Sequence, residues 1–273
     1  MTSVDTRSPS AGNRIARRTA FLCIAGTLLS WQSLAHAVTV ADATFADVDW
    51  TITSFSSGSG GTSTAAQVAT GGNPGAYRNV TDTLNGGGVV SVVSGVNIYG
   101  PFTYTPSVSG AIGSLDYSED AACTGGCFGQ GQSTGPAVLQ NGNYYTLCSS
   151  VIITGAGTTF VNHTLNGLTA ADFGIVSLTS TNTCDPSVHP DFSSAASPIK
   201  VGFFRANGTG PGGGGYTLAA GIDNWQITLN AVVVNPQALP PVIPVPTLGM
   251  GGMALLAMAI GLLGFAYSRH RRR

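Results

Sequence analysis

The chain has 273 residues, of which 43% are hydrophobic and only 8% are charged. Residues 38–240 contain three basic side chains, Arg78, Lys200 and Arg205, against eleven acidic ones, which gives this central region a formal charge of −8. Because nucleic acids and anionic lipid surfaces bind basic partners, this charge excludes both as ligands of the central region.

The N-terminal residues 1–37 have the three parts of a secretory signal peptide. A basic stretch with Arg14, Arg17 and Arg18 is followed by an apolar segment, residues 19–31, that is too short to span a bilayer. Ala35 and Ala37 then form an A-x-A cleavage site around a histidine. The sequence therefore predicts an exported protein whose mature chain begins at Val38.

Residues 38–236 are predicted to form one all-β domain, a jelly-roll-like two-sheet β-sandwich. The composition is rich in glycine, serine, threonine and valine, and no helical periodicity is present. In the last predicted strand Trp225, Ile227 and Leu229 alternate with polar residues, so one face of it is expected to be buried. The predicted strands are residues 49–55, 77–84, 89–93, 144–154, 158–164, 199–206 and 222–234.

Two short motifs in this region resemble known modules. One is Gly71-Gly72-Asn73-Pro74-Gly75 before an alternating strand, and the other is Gly221-Ile222-Asp223-Asn224-Trp225 in the last strand. Together they are similar to jelly-roll modules of the laminin-G, concanavalin-like or carbohydrate-binding kind. The resemblance covers about a dozen residues and implies a sandwich fold.

Four cysteines remain after signal cleavage, as expected for disulfides in an exported protein. Cys123 is predicted to pair with Cys127, because the glycines between them allow a tight turn, and Cys148 is predicted to pair with Cys184. A zinc site is the alternative use of these residues.

Asp116, Glu119 and Asp120 are candidate calcium ligands, because three carboxylates lie within five residues beside the predicted disulfide loop. The alternative is a solvated acidic turn, and no other cofactor is predicted. Gly131–Gly135 matches the G-x-S-x-G pattern of a nucleophile elbow, but no helix is expected after it, so no catalytic residue is predicted.

Several aromatic residues are candidates for stacking on sugar rings, because they fall near predicted turns where exposed rings are expected. They are Tyr99, Tyr104, Tyr144 and Tyr145. The two tryptophans Trp50 and Trp225 are instead predicted to lie in the core.

The C-terminal segment is organised as a membrane anchor. A proline-rich linker, residues 237–247, leads into twenty residues without a charge, 248–267, which are long enough for a transmembrane helix. The basic tail, residues 268–273, is predicted to stay in the cytoplasm by the positive-inside rule.

The order of these three parts resembles a known sorting signal. The residues Val245, Pro246, Thr247 and Leu248, then an apolar helix and an arginine cluster, are similar to the IPTL-CTERM signals, which are related to PEP-CTERM. The resemblance implies processing by an exosortase-type membrane enzyme, cleavage near the Pro-Thr motif, and export to a Gram-negative cell surface or the extracellular space.

The sequence therefore predicts a non-enzymatic, exported protein of the cell envelope or extracellular matrix, held in the membrane through its C-terminal helix before processing. Extracellular polysaccharide is its candidate ligand. The alternative function is a polysaccharide-acting hydrolase or lyase on the same sandwich, which would require an acid/base pair facing one groove.

Overall fold

This computed structural model describes residues 36–126, 131–149, 151–153, 159–178 and 183–232, together with Met258, Ile260 and Leu262. Residues 1–35 of the predicted signal peptide, the predicted linker 237–247 with its sorting motif, the basic tail and nearly all of the predicted membrane segment lie outside these residues. No helix within the described part has both the length and the apolar composition needed to cross a membrane.

The described residues form strands joined by short turns, as the glycine-rich and threonine-rich composition predicts. One helical turn, α1 (Pro106–Ser109), and two 3₁₀ turns at Asp47–Asp49 and Ala170–Asp172 accompany them. The strands are β1 (His36–Asp42), β2 (Trp50–Ser57), β3 (Gly61–Gly72), β4 (Gly75–Leu84), β5 (Ser91–Tyr99), β6 (Ala111–Gly125), β7 (Gln132–Gln140), β8 (Asn143–Leu147), β9 (Val151–Ile153), β10 (Val161–Leu168), β11 (Phe173–Val176), β12 (Cys184–Asp185), β13 (Ile199–Thr209) and β14 (Tyr216–Val232).

Two antiparallel sheets contain all of these strands, so the predicted all-β, two-sheet sandwich is confirmed. Sheet 1 has the order β10-β6-β14-β4-β3, with β1 beside the second half of β14. Sheet 2 has the order β12-β11-β8-β7-β13-β5-β2, with β9 beside the first half of β7. The 17-residue strand β14 connects sheet 1, because it pairs with β6, β4 and β1.

The core between the sheets is built around tryptophan. Trp50 from sheet 2 and Trp225 from sheet 1 meet edge to face with ring centroids 4.9 Å apart, and Phe203 lies 5.3 Å from Trp50. Ile227 and Leu229 continue the buried row of β14, while Gln226, between Trp225 and Ile227, is exposed. The predicted alternation of this strand and the core position of both tryptophans are therefore observed.

The predicted start of the mature chain lies inside β1. Val38 to Asp42 pair with residues 225–229 of β14, so five of the seven register pairs of β1 remain after cleavage behind Ala37. The inward-facing Val40 is buried against the core, which ties the start of the sandwich to its longest strand.

One of the two predicted disulfides is present among the described residues. Cys148 and Cys184 are bonded with their Cα atoms 5.7 Å apart, and this bond ties the loop after β8 to β12 at the edge of sheet 2. Cys123 lies in β6, whereas Cys127 lies outside the described residues. The pairing of Cys123 with Cys127 therefore stays a prediction.

Candidate functional site

Two of the four tyrosines predicted to stack on sugars are buried in the core. Tyr104 is 2% exposed, and its hydroxyl donates to the backbone oxygens of Ser109 and Gly110 at 3.0 and 2.9 Å. Tyr145 is 6% exposed and belongs to the same core cluster. Burial leaves neither ring an open face against which a sugar could pack.

The other two tyrosines are partly exposed but lie in different places. Tyr99 packs against Trp50 and Trp225, with ring centroids 5.1 and 5.6 Å away, at the edge of the core. Tyr144 lies on the outer face of sheet 2, where its ring meets the edge of Phe55 at 5.5 Å. The structure does not bring the four tyrosines together on one surface.

The outer face of sheet 2 is closed over by Tyr144. The hydroxyl of Thr53 in β2 donates to the hydroxyl of Tyr144 in β8 at 2.9 Å, although these strands are four positions apart in the sheet. Four spacings would separate flat strands by about 19 Å, so the sheet must curl to bring them together. Val96, Ile98 and Phe204 beneath this contact are at most 3% exposed, and this face is therefore filled.

The three candidate calcium ligands are divided between the two faces of β6. Asp116 and Asp120 point outward, and Glu119 points into the core, where it is fully buried and bound by Arg205 Nη1 at 3.0 Å. Successive residues of a strand face opposite sides, which explains this division. Among the described residues, no group of three or more His, Cys, Asp or Glu side chains is arranged to hold a metal ion.

Around Glu119 lies a polar core cluster, which we define as Asp82, Glu119, Gln132, Thr134 and Arg205. Thr134 donates to Glu119 at 2.9 Å, and Gln132 donates to Asp82 at 2.9 Å. Burial raises the pKa of Asp82 to about 7, although a hydrogen bond from the Ser63 hydroxyl and the charge of Arg205 act in the opposite direction. All five side chains are fully buried, so these carboxylates do not face a groove.

A second polar group lies on the outer face of sheet 1. This amide cluster consists of Asn73, Asp120, Asn162, Asp223 and Asn224. The Nδ2 atoms of Asn224, Asn162 and Asn73 all donate to the carboxylate of Asp120, at 2.7, 2.8 and 3.0 Å. Asp223 accepts from the backbone N–H of Asn73 and from that of Asn224. The two carboxylates are buried, whereas the three asparagines are exposed.

Local backbone geometry builds the amide cluster. A register shift in β14 between Asp223 and Gln226, with Asn224 at a φ of 48°, places two consecutive polar side chains on the outer face. The β3–β4 loop approaches closely, and a Cβ at Gly72 would lie 2.5 Å from the Asp223 carboxylate. Glycine is therefore required at position 72 for the loop to reach the strand.

The hydrogen bonds turn the NH₂ group of each of the three asparagines towards Asp120. Burial alone would raise the pKa of Asp120, but the amide donors Asn224, Asn162 and Asn73 lower it below its ordinary value, so Asp120 is ionised at neutral pH. Because each NH₂ group faces this carboxylate, each Oδ1 atom is left without a hydrogen-bond partner among the described residues. The cluster thus offers three carbonyl oxygens to hydroxyl donors.

An aromatic pair lies beside the amide cluster. Tyr77 of β4 and Phe160, just before β10, meet edge to face with centroids 5.5 Å apart. Both rings cover Gly221, where a Cβ would lie 2.8 Å from Tyr77 and 3.1 Å from Phe160. Phe160 and Asn162 are two residues apart and share a face, which places partly exposed rings next to the oriented amides.

These residues were not predicted as a site, although the sequence contained a signal for them. The motifs Gly71–Gly75 and Gly221–Trp225 are about 150 residues apart, and the hydrogen bond from the Asn73 N–H to Asp223 joins them. The Asp223-Asn224 pair is unusual because it puts two consecutive polar residues into a strand whose side chains otherwise alternate. The Asn73-Pro74 pair marks a turn directly before another strand. Only the folded structure shows that they meet.

Comparison with solved structures gives distant matches at 11% identity. A family 11 carbohydrate-binding module from Clostridium thermocellum aligns with a TM-score of 0.38 over 73% of this chain and 97% of that chain. The xylan-binding CBM22-1 domain of Paenibacillus barcinonensis Xyn10C aligns with a TM-score of 0.35 over 72% of this chain and 97% of that chain. The tandem CBM22 domains of the same protein align with a TM-score of 0.36 over 77% of this chain and 50% of that chain.

Comparison with curated proteins found no match. The family comparison, in contrast, matched the C-terminal segment. Residues 243–273 match the IPTL-CTERM motif, and this range contains the Val-Pro-Thr-Leu sequence, the apolar run and the arginine cluster. The predicted sorting signal is therefore confirmed, and the chain carries an IPTL-CTERM motif at its C-terminus.

Proposed function

We propose that this chain is an exported cell-envelope protein whose sandwich binds extracellular polysaccharide without acting on it as an enzyme. The IPTL-CTERM motif at residues 243–273 supports export as a membrane-held precursor. The disulfide between Cys148 and Cys184 is in keeping with an oxidising compartment. An exosortase-type enzyme then removes the anchor and releases the sandwich to the cell surface or medium.

The observation that carries the binding role is the amide cluster with its adjoining rings. Sites for polar ligands combine a few oriented hydrogen-bonding groups with aromatic surface, and sugars present both hydroxyl groups and C–H faces. Asn73, Asn162 and Asn224 supply three oriented acceptors, and Tyr77 and Phe160 supply the aromatic surface. The outer face of sheet 1 is therefore the proposed binding face.

The state of the carboxylates favours binding over hydrolysis. A glycosidase needs two carboxyl groups that reach the scissile bond from opposite sides. On the outer face Asp120 and Asp223 are 7% and 0% exposed, and protein N–H groups occupy them. In the core Asp82 and Glu119 are enclosed between the sheets. These four carboxylates hold the fold and its amides in place.

Binding is tested on the full chain in detergent by affinity electrophoresis against a set of polysaccharides. Asn162→Ala and Phe160→Ala are each expected to weaken binding roughly five- to tenfold, since one hydrogen bond or ring contact contributes about 1 kcal/mol. Asn230→Ala is the matched control. Its Nδ2 donates to Asp116 at 2.9 Å on the same face, but the residue lies about 20 Å along β14 from Asn224.

The control is expected to bind like the wild type. Equal weakening by Asn162→Ala and Asn230→Ala would mean that the amide cluster is not the binding site. If the folded wild-type chain binds none of the polysaccharides tested, the proposed function is wrong.

Processing is tested by mass spectrometry of cell-surface and medium fractions. The expected mature species begins at Val38 and ends before Leu248. A released species that retains Arg273 would contradict removal of the anchor.

A further inference from the structure

We infer that the binding face selects neutral polysaccharides and rejects polymers that carry uronate or sulfate groups. This inference rests on the proposed function and names the ligand class of the same face. Three observations support it: the positions of the few lysine and arginine side chains, the carboxylates on the outer face of sheet 1, and the threonines that continue this face beyond the aromatic pair.

None of the three basic side chains of residues 38–240 reaches the outer face of sheet 1. Arg78 is 2% exposed and points inward, where it donates to Asn97 at 3.0 Å and to Asp47 at 2.9 Å. Arg205 is fully buried in the polar core cluster. Lys200 follows the outward row of β13 on sheet 2, and its Nζ lies 3.5 Å from a backbone oxygen of Gly100.

The same face carries negative charge. Asp116, Asp120 and Asp223 point outward from neighbouring strands, and their hydrogen-bond donors are neutral amides and backbone N–H groups rather than cations. No lysine or arginine within the described residues pairs with these carboxylates, although the charge of His163 in β10 also helps to lower the pKa of Asp120. A polymer with a carboxylate or sulfate on each repeat would meet like charge without a lysine or arginine to compensate it, and binding would be disfavoured.

The face beyond the rings offers hydroxyl and methyl groups. Thr62 lies opposite Thr83, Thr64 lies opposite Thr81, and the Oγ1 atoms of Thr83 and Thr217 are 3.1 Å apart. From Tyr77 to Thr83 this surface runs along β4 for roughly 20 Å, which is long enough for several sugar residues of an extended chain. Threonine presents one hydroxyl and one methyl group, a surface suited to the alternating hydroxyl and C–H groups of an uncharged sugar.

The test compares a neutral β-glucan with an alginate of similar length, using the full chain in detergent at low and high salt. The neutral polymer is expected to bind with the same affinity at both salt concentrations, because no ion pairs form. Ala66→Lys introduces a cation at an exposed position diagonal to Tyr77, and it is expected to increase alginate binding several-fold in a salt-dependent way. Thr51→Lys makes the same charge change on the outer face of sheet 2 and is expected to leave binding unchanged.

Three failures can be told apart. If the wild type binds alginate more tightly than the neutral polymer and Asn162→Ala weakens that binding, neutral selectivity is wrong while the face remains a polysaccharide site. Equal gains in alginate binding from Ala66→Lys and Thr51→Lys would instead overturn the assignment of binding to this face. If the folded wild type retains neither polymer nor any other polysaccharide, the proposed function fails, and this inference fails with it.

Discussion

The buried carboxyl of Asp82 is expected to make the stability of the sandwich fall as the pH rises, and Asp82→Asn tests this. Asp82 is fully buried and accepts hydrogen bonds from Ser63 at 2.5 Å and from Gln132 at 2.9 Å. An asparagine has the same shape and can keep both contacts by orienting its amide. Because it carries no charge at any pH, the substitution removes only the ionisation.

The magnitude follows from the raised pKa. Burial raises the pKa of Asp82 from its ordinary value of 3.8 to about 7. One pKa unit corresponds to about 1.4 kcal/mol, so ionised Asp82 lowers the free energy of unfolding by about 4 kcal/mol. The stability that the protonated carboxyl provides is fully present below pH 3.8, is lost as the pH rises to about 7, and does not change further above that pH.

Urea unfolding followed by tryptophan fluorescence at pH 5 and pH 8 measures the effect. The wild type is expected to lose most of this free energy between the two values, and Asp82→Asn is expected to be the more stable protein at pH 8. Asp191→Asn, at an exposed carboxylate, is the control and should show the wild-type pH dependence. Identical pH dependence in the wild type and Asp82→Asn would refute the reasoning.

Three further predictions concern stability. Glu119→Gln leaves Arg205 without its ion-pair partner and is expected to lower the free energy of unfolding in urea by about 3–5 kcal/mol. Adding Arg205→Met should restore part of that loss. A double variant less stable than Glu119→Gln would contradict this. Cys148→Ser opens a cross-link across a sequence separation of 36 and is expected to cost about 3–4 kcal/mol, and adding Cys184→Ser to it should cost nothing further. Asp42 accepts a hydrogen bond from Trp50 Nε1 at 2.7 Å, and Asp42→Asn weakens this acceptor. Burial raises the pKa of Asp42, but its hydrogen bonds outweigh burial and hold the pKa below its ordinary value. Asp42→Asn should therefore remove the stability that the wild type loses below about pH 4, and an unchanged acid unfolding profile would contradict this.

Much of the strand pattern was predictable from local sequence. The alternation of Trp225, Ile227 and Leu229 identified the buried face of β14, because side chains in a strand point to opposite faces with a period of two. The predicted strand at residues 199–206 lies within β13, and the glycine-rich residues 210–215 that follow β13 are a local turn signal. Turn residues and alternation act over a few positions, so they can be recognised without the rest of the chain.

Strand β6, which lies between β10 and β14, was not predictable in this way. Its segment from Asp116 to Asp120 has acidic residues at positions that face opposite sides, a pattern typical of a turn or a calcium loop. Glu119 can enter the core only because Arg205 from the other sheet neutralises it at 3.0 Å. That partner is 86 residues away, and no local pattern indicates the pairing.

The sequence by itself determined the class of fold and the C-terminal sorting motif, and it predicts a signal peptide. The predicted signal peptide, the apolar segment and the arginine cluster are recognised by composition and order, which do not depend on long-range contacts. The tertiary structure alone decided the candidate site, because strand pairing brings Asn73, Asp120, Asn162, Asp223 and Asn224 from four separate segments to one face. It also decided that Tyr104 and Tyr145 are buried, since exposure depends on what packs over a ring rather than on its distance from a turn.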